Sequence, residues 1–73
     1  MTYDDAWVIG ENIGFRLECA GMTLKELCER TGMSYATASN YTRGLNVPSA
    51  VRLKKIANAL GTTMDLLMEG VGE

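Results

Sequence analysis

The side chains of this chain that are able to do reaction chemistry are few, and they are spaced wrongly for it. Histidine is absent, which excludes imidazole general bases, zinc fingers and most transition-metal sites. Cys19 and Cys28 stand nine apart rather than as a Cys-x-x-Cys pair. They read as two reduced core thiols, not as a redox centre or a disulfide scaffold. The carboxylates do not cluster and no glycine-rich phosphate loop occurs, so an enzyme reading finds no constellation to work with. What remains is charge arranged for binding. Met1 to Glu29 carries a net charge of −4, Arg30 to Met64 has no acid at all and a net charge of +5, and the last nine residues add −3. The cations of the middle stretch are Arg30, Arg43, Arg52, Lys54 and Lys55. Thirty-five residues bearing only positive charge suit a polyanionic partner, although the whole chain sums to −2. A solvated basic face is the plainer reading of the same residues, so a shape that fits a groove has to accompany the charge.

The elements that must supply that shape are helices. At 73 residues, 47% apolar and 22% charged, the chain is expected to be a single globular domain over residues 1–73, burying only about 60% of its unfolded surface. No apolar run approaches the roughly 20 residues that span a bilayer. The first charges after Met1 are acidic, at Asp4 and Asp5, unlike a cleavable signal. The expected location is the cytoplasm, with no membrane, metal or cofactor involved.

Apolar residues recur at helical rather than alternating spacing. A first helix is predicted from Asp4 to Ala20, opened by Thr2 with Asp5 and burying Ala6, Ile9, Ile13, Leu17 and Ala20. Gly21 stops it. Gly10 and Gly14 lie on one face of this helix. They read either as a surface for close approach by another element or as a plain weakness of about 1 kcal/mol each. Thr23 and Glu26 form a capping box for a second helix with Leu24, Leu27, Cys28 and Thr31 inward. Gly32 ends that helix, and Ser34 caps a third at about Tyr35 to Thr42, with Ala38 and Tyr41 inward. A loop runs from Leu45 to Pro48. Ser49 caps a fourth helix burying Leu53, Ile56, Ala57 and Leu60, and Thr62 with Asp65 caps a short fifth. The prediction is an all-α domain of five helices without a sheet.

Two short helices joined by three residues with a glycine at the turn, Thr23 to Tyr41, form a helix-turn-helix pattern over about residues 23–42. Leu27, Cys28, Gly32, Ala38, Tyr41 and Gly44 resemble the corresponding positions of the lambda-repressor and Cro family of regulators, the XRE type. Pro48, Ser49, Leu53, the run Ile56 to Gly61, and Leu66 with Leu67 resemble the same family's fourth and fifth helices. The likeness covers about Ile9 to Met68 in order and spacing. The departures are specific. Cys28 stands where the family has alanine, and Ala38 where it has a larger aliphatic, a volume exchange across one contact. Leu17 and Thr42 replace a frequent arginine–glutamate pair, and Leu24 replaces a glutamine that donates to phosphate.

The resemblance implies a sequence-specific DNA-binding regulator, of the phage, prophage or mobile-element repressor type, whose third helix enters the major groove. It places Tyr35, Ala36, Thr37 and Asn40 at base edges, with Ser39 as a further candidate. Asparagine pairs with adenine, and alanine and threonine methyls pack on thymine. With no arginine or lysine from Ser34 to Thr42, the bidentate guanine contact is missing and an A·T-biased operator core is expected. Thr23, Arg43, Asn46, Ser49 and Arg52 are the implied phosphate contacts. Arg52 reads equally as part of a solvated helix face. A homodimer on double-stranded DNA is expected, with half-sites about 34 Å apart. The last helix, with Met64, Leu67, Met68 and Val71, is the candidate dimer surface. About five neutralised phosphates per subunit give a log affinity–log salt slope near −9. The competing reading is a helix-turn-helix fold used as a protein-interaction module, an antitoxin or regulator subunit. It draws on the acidic pI near 5.0, the uncharged third helix and Leu24.

Overall fold

The computed structural model describes residues 4–72, and five helices follow one another there: α1 (Asp5–Ala20), α2 (Leu24–Thr31), α3 (Tyr35–Thr42), α4 (Ala50–Leu60) and α5 (Met64–Leu67). Each begins where a short polar side chain satisfies an orphan amide. Asp4 accepts from the Ala6 N–H at 2.9 Å, Ser34 from Thr37 at 3.2 Å, and Ser49 from Arg52 at 3.2 Å. The expected opening of α1 by Thr2 falls outside the described residues, and Asp4 is the cap. At α2 the capping box is complete. Thr23 Oγ1 accepts from the Glu26 N–H, and the Glu26 carboxylate accepts from the Thr23 N–H, each at 3.1 Å.

The cap of α5 corrects the sequence reading. Thr63, not Thr62, accepts from the Leu66 N–H at 3.1 Å, which places Asp65 out of register for a capping box. Thr62 belongs to the end of α4. Its N–H donates to the Ala57 carbonyl at 2.9 Å while the Gly61 N–H donates to Asn58, the paired bonds that close a helix over a left-handed residue. The Thr62 hydroxyl is buried there without a partner.

The core is assembled from one stripe of each helix: Ile9, Ile13 and Leu17 of α1, Leu27 of α2, Tyr41 of α3, Leu53, Ile56, Ala57 and Leu60 of α4, and Leu67 of α5. Cys28 and Ala38 are both buried. Leu17 is buried, and the Thr42 hydroxyl donates to the Ser39 carbonyl within its own helix at 3.0 Å. Neither of these positions is left needing a charged partner. Ala20, expected in the stripe, is exposed, while Leu17 in the same turn is buried; α2 packs chiefly on α3 and α4. Cys19 is exposed as well, so only Cys28 is a core thiol.

A close approach joins α1 to the end of α3. A Cβ placed on Gly10 would collide with the Tyr41 carbonyl oxygen and stand 3.1 Å from both the Gly44 nitrogen and the Thr42 carbonyl oxygen. Those are backbone atoms of a helix terminus with little room to move, so only glycine lets α1 lie on them. Gly14 meets nothing within 4 Å and has no such reason to be glycine. From the other side, Gly44 adopts φ +75°, and a Cβ placed on it would stand 2.8 Å from the Trp7 Cα. The tail after α5 is tied back by Asn12, whose amide donates to the carbonyls of Leu67 at 2.9 Å and Glu69 at 2.8 Å.

Candidate nucleic-acid interface

The turn between α2 and α3 is three residues long and starts at Gly32, whose φ of 76° and N–H bond to the Cys28 carbonyl end α2 abruptly. That redirects the chain so that α3 packs with Ala38 and Tyr41 underneath, 1% and 5% exposed. The 3.6-residue period then turns the other side chains of α3 outward. Tyr35 and Ala36 are exposed, and Thr37, Ser39 and Asn40 are half-buried at the edges of that face. All five sequence-predicted base contacts therefore share the outer side of one helix. The helix carries no acid in its first turn and no base in its last. Thr37 is partly engaged, since its Oγ1 accepts from the Ser34 hydroxyl at 2.8 Å, yet its own O–H and methyl remain available. The Asn40 main-chain carbonyl closes the helix by accepting from the Leu45 N–H at 2.9 Å.

The predicted phosphate contacts divide into two groups. Arg43, Asn46, Ser49 and Arg52 are all exposed on one continuous stretch: the C-cap of α3, the following loop and the first turn of α4. Thr23 lies apart from these, at the start of α2, and it is already occupied. Its N–H and hydroxyl both donate to Glu26 Oε1 at 3.1 Å. Those two bonds, the backbone one foremost, hold the Glu26 carboxyl below its ordinary range, with the Arg30 charge helping. A phosphate at this helix start would meet a carboxylate that stays ionised. Leu24, half-buried and packed against the core, adds no donor.

Two features were not foreseen from the sequence. Arg52 Nη1 donates to the Tyr41 hydroxyl at 2.9 Å, a bond between residues eleven apart on different helices that no local pattern signals. Leu67, proposed for a dimer surface, is fully buried. Met64 and Val71 are half-buried against the core, and of the apolar side chains in that segment Leu66 and Met68 are exposed, 39% each. Among the described residues no group of three or more His, Cys, Asp or Glu is placed to hold a metal ion. No described helix is long and apolar enough to cross a membrane.

A five-helix domain whose second and third helices are joined by this tight turn, with an uncharged polar face on the third, is a helix-turn-helix module. The chain belongs to the XRE-type helix-turn-helix family of transcriptional regulators: the helix-turn-helix family model matches residues 16–67. It is 38% identical over 63 residues to an uncharacterized HTH-type transcriptional regulator, Rv0474, of Mycobacterium tuberculosis strain H37Rv. The same identity and span hold for the regulator MT0491 of strain CDC 1551. The match takes in 86% of this chain and 45% of each relative, so the chain spans less than half the length of these curated relatives. Among solved structures it is similar to the clp gene regulator ClgR from C. glutamicum. The TM-score is 0.86 at 28% identity, covering 97% of this chain and 94% of that one.

Proposed function

We propose that this chain is a sequence-specific DNA-binding regulator, a cytoplasmic repressor of phage, prophage or mobile-element type, that binds double-stranded operator DNA as a homodimer with α3 in the major groove. Residues 1–73 act as one helix-turn-helix domain in this reading. The observation that carries it is the outer face of α3. Tyr35, Ala36, Thr37, Ser39 and Asn40 are presented together over a buried Ala38 and Tyr41, with exposed Arg43 and Arg52 flanking them. The side chains on that face match adenine through the Asn40 amide and thymine through methyl groups, so the operator core is A·T-biased. Repression, rather than activation, rests on the family resemblance alone.

Arg43, Asn46, Ser49 and Arg52 form the phosphate contacts, and Thr23, engaged by Glu26, is the weakest of the set. Only Arg43 and Arg52 among these five are cations, so a dimer neutralises about four phosphates through them. The salt slope is then near −4 rather than −9. With Leu67 buried, Leu66 of α5 and Met68 at its C-cap are the exposed apolar side chains there that can meet a second copy.

Selection of random duplex DNA on the purified chain at two salt concentrations tests this. An A·T-centred palindrome whose enrichment falls with salt supports it, and Asn40→Ala then relaxes one base position by about 1–3 kcal/mol. Absence of enrichment at low salt transfers support to the protein-interaction reading, which the uncharged α3 favours. Arg43→Glu separates the two directly, abolishing a DNA complex and leaving a protein complex nearly unchanged.

A further inference from the structure

We propose that Tyr41 is a positioning residue for DNA binding, its hydroxyl holding the Arg52 guanidinium in place for a phosphate. The proposal rests on the DNA-binding reading above. Tyr41 is fixed from two sides. The residue is 5% exposed and part of the core, and its main-chain carbonyl lies against Gly10 of α1 so closely that a methyl there would collide with it. From this buried position its hydroxyl lies 2.9 Å from Arg52 Nη1.

Arg52 is pinned at its backbone as well, because its N–H donates to the Ser49 cap at 3.2 Å. An arginine in the first turn of an exposed helix ordinarily samples many rotamers and must be ordered when it meets a phosphate. Here one of its five N–H donors is spent on Tyr41, and the remaining fork is aimed while the residue stays exposed. The bond also couples the two halves of the interface. Tyr41 is on the helix that presents the base-facing side chains, Arg52 is on the helix that follows the loop, and the hydroxyl sets their spacing.

The test is a double-mutant cycle, read as affinity for the selected operator and for a random-sequence duplex of equal length, each across a salt series. Tyr41→Phe keeps the ring in the core and removes only the acceptor. It is expected to weaken binding to both duplexes by about three- to tenfold, with the salt slope unchanged because no charge is lost. Arg52→Ala is expected to weaken binding further and to flatten the slope by about 0.9 per subunit. In the Arg52→Ala background, Tyr41→Phe is expected to have no further effect. That last result separates positioning of Arg52 from a general loosening of α3, and thermal unfolding of each variant checks that the fold persists.

Undiminished affinity in folded Tyr41→Phe overturns the proposal, as does an equal loss with and without Arg52. In either case the wild-type chain still binds duplex and the DNA reading stands. Failure of the wild-type chain to bind either duplex at low salt overturns both.

Discussion

The contact between α1 and the end of α3 makes a prediction of opposite signs at two glycines one helical turn apart. Replacing a mid-helix glycine by alanine ordinarily stabilises by about 1 kcal/mol, since it removes backbone freedom from the unfolded chain. At Gly14 nothing lies within 4 Å of the new methyl, so Gly14→Ala should realise that gain. For a domain of this size about 1 kcal/mol raises the melting temperature by roughly 4–8 °C. At Gly10 the methyl would run into the Tyr41 carbonyl oxygen, with Thr42 and Gly44 backbone atoms at 3.1 Å. Overpacking costs about 1–3 kcal/mol, and the upper end applies because the atoms met are backbone rather than the tip of a flexible side chain. After the propensity gain is subtracted, Gly10→Ala should lose about 2 kcal/mol, or roughly 8–16 °C. It should also weaken duplex binding, since α3 is the element displaced. Thermal and urea unfolding followed by circular dichroism measure both variants. A Gly10→Ala protein as stable as wild type, or a Gly14→Ala protein that melts lower, would refute the packing argument.

Three further outcomes follow from particular bonds. Asn12→Ala leaves the Leu67 and Glu69 carbonyls without their donor; a loss of about 1–2 kcal/mol is expected, with faster hydrogen exchange confined first to the amides of Leu67 and Met68, and unchanged exchange there would count against the tie. Burial pushes the Cys28 thiol above its ordinary range, with the neighbouring Glu29 charge a lesser cause, whereas Cys19 is exposed. A thiol reagent at about pH 8 should therefore label Cys19 at once and Cys28 only as the fold opens; two equally fast thiols would contradict the burial. Glu26 has a lowered folded-state pKa, so its contribution is complete above the ordinary carboxylate range and disappears as pH falls through the folded value. Glu26→Gln should flatten the acid limb of the stability curve, and an identical limb in the variant would show that the capping box is not what titrates.

Reading the sequence against the structure separates two kinds of information. The helix starts at Thr23, Ser34 and Ser49, the stops at Gly21, Gly32 and Gly61, and the inward residues Ile9, Ile13, Leu27, Ala38, Tyr41, Leu53 and Ile56 are all where local chemistry and the 3.6-residue period put them. So is the outer face of α3, because once Ala38 and Tyr41 are inward, Tyr35, Ala36 and Asn40 have no other direction. These are short-range properties: a cap and its amide are three residues apart, and a helix face repeats every turn.

What the pattern could not decide is which neighbour each face meets. Ala20 and Cys19 read as core but are exposed, with α2 packed chiefly on α3 and α4. Leu67 read as a dimer contact but is fully buried in this chain's own core. Thr62 read as a cap but serves the closing turn of α4. Gly10 and Gly14 are alike in sequence and opposite in role because only one of them lies under Tyr41. The hydroxyl of that same Tyr41 reaches Arg52 across a loop. Each of these depends on atoms brought together by packing between helices, and such contacts leave no periodic trace along the chain.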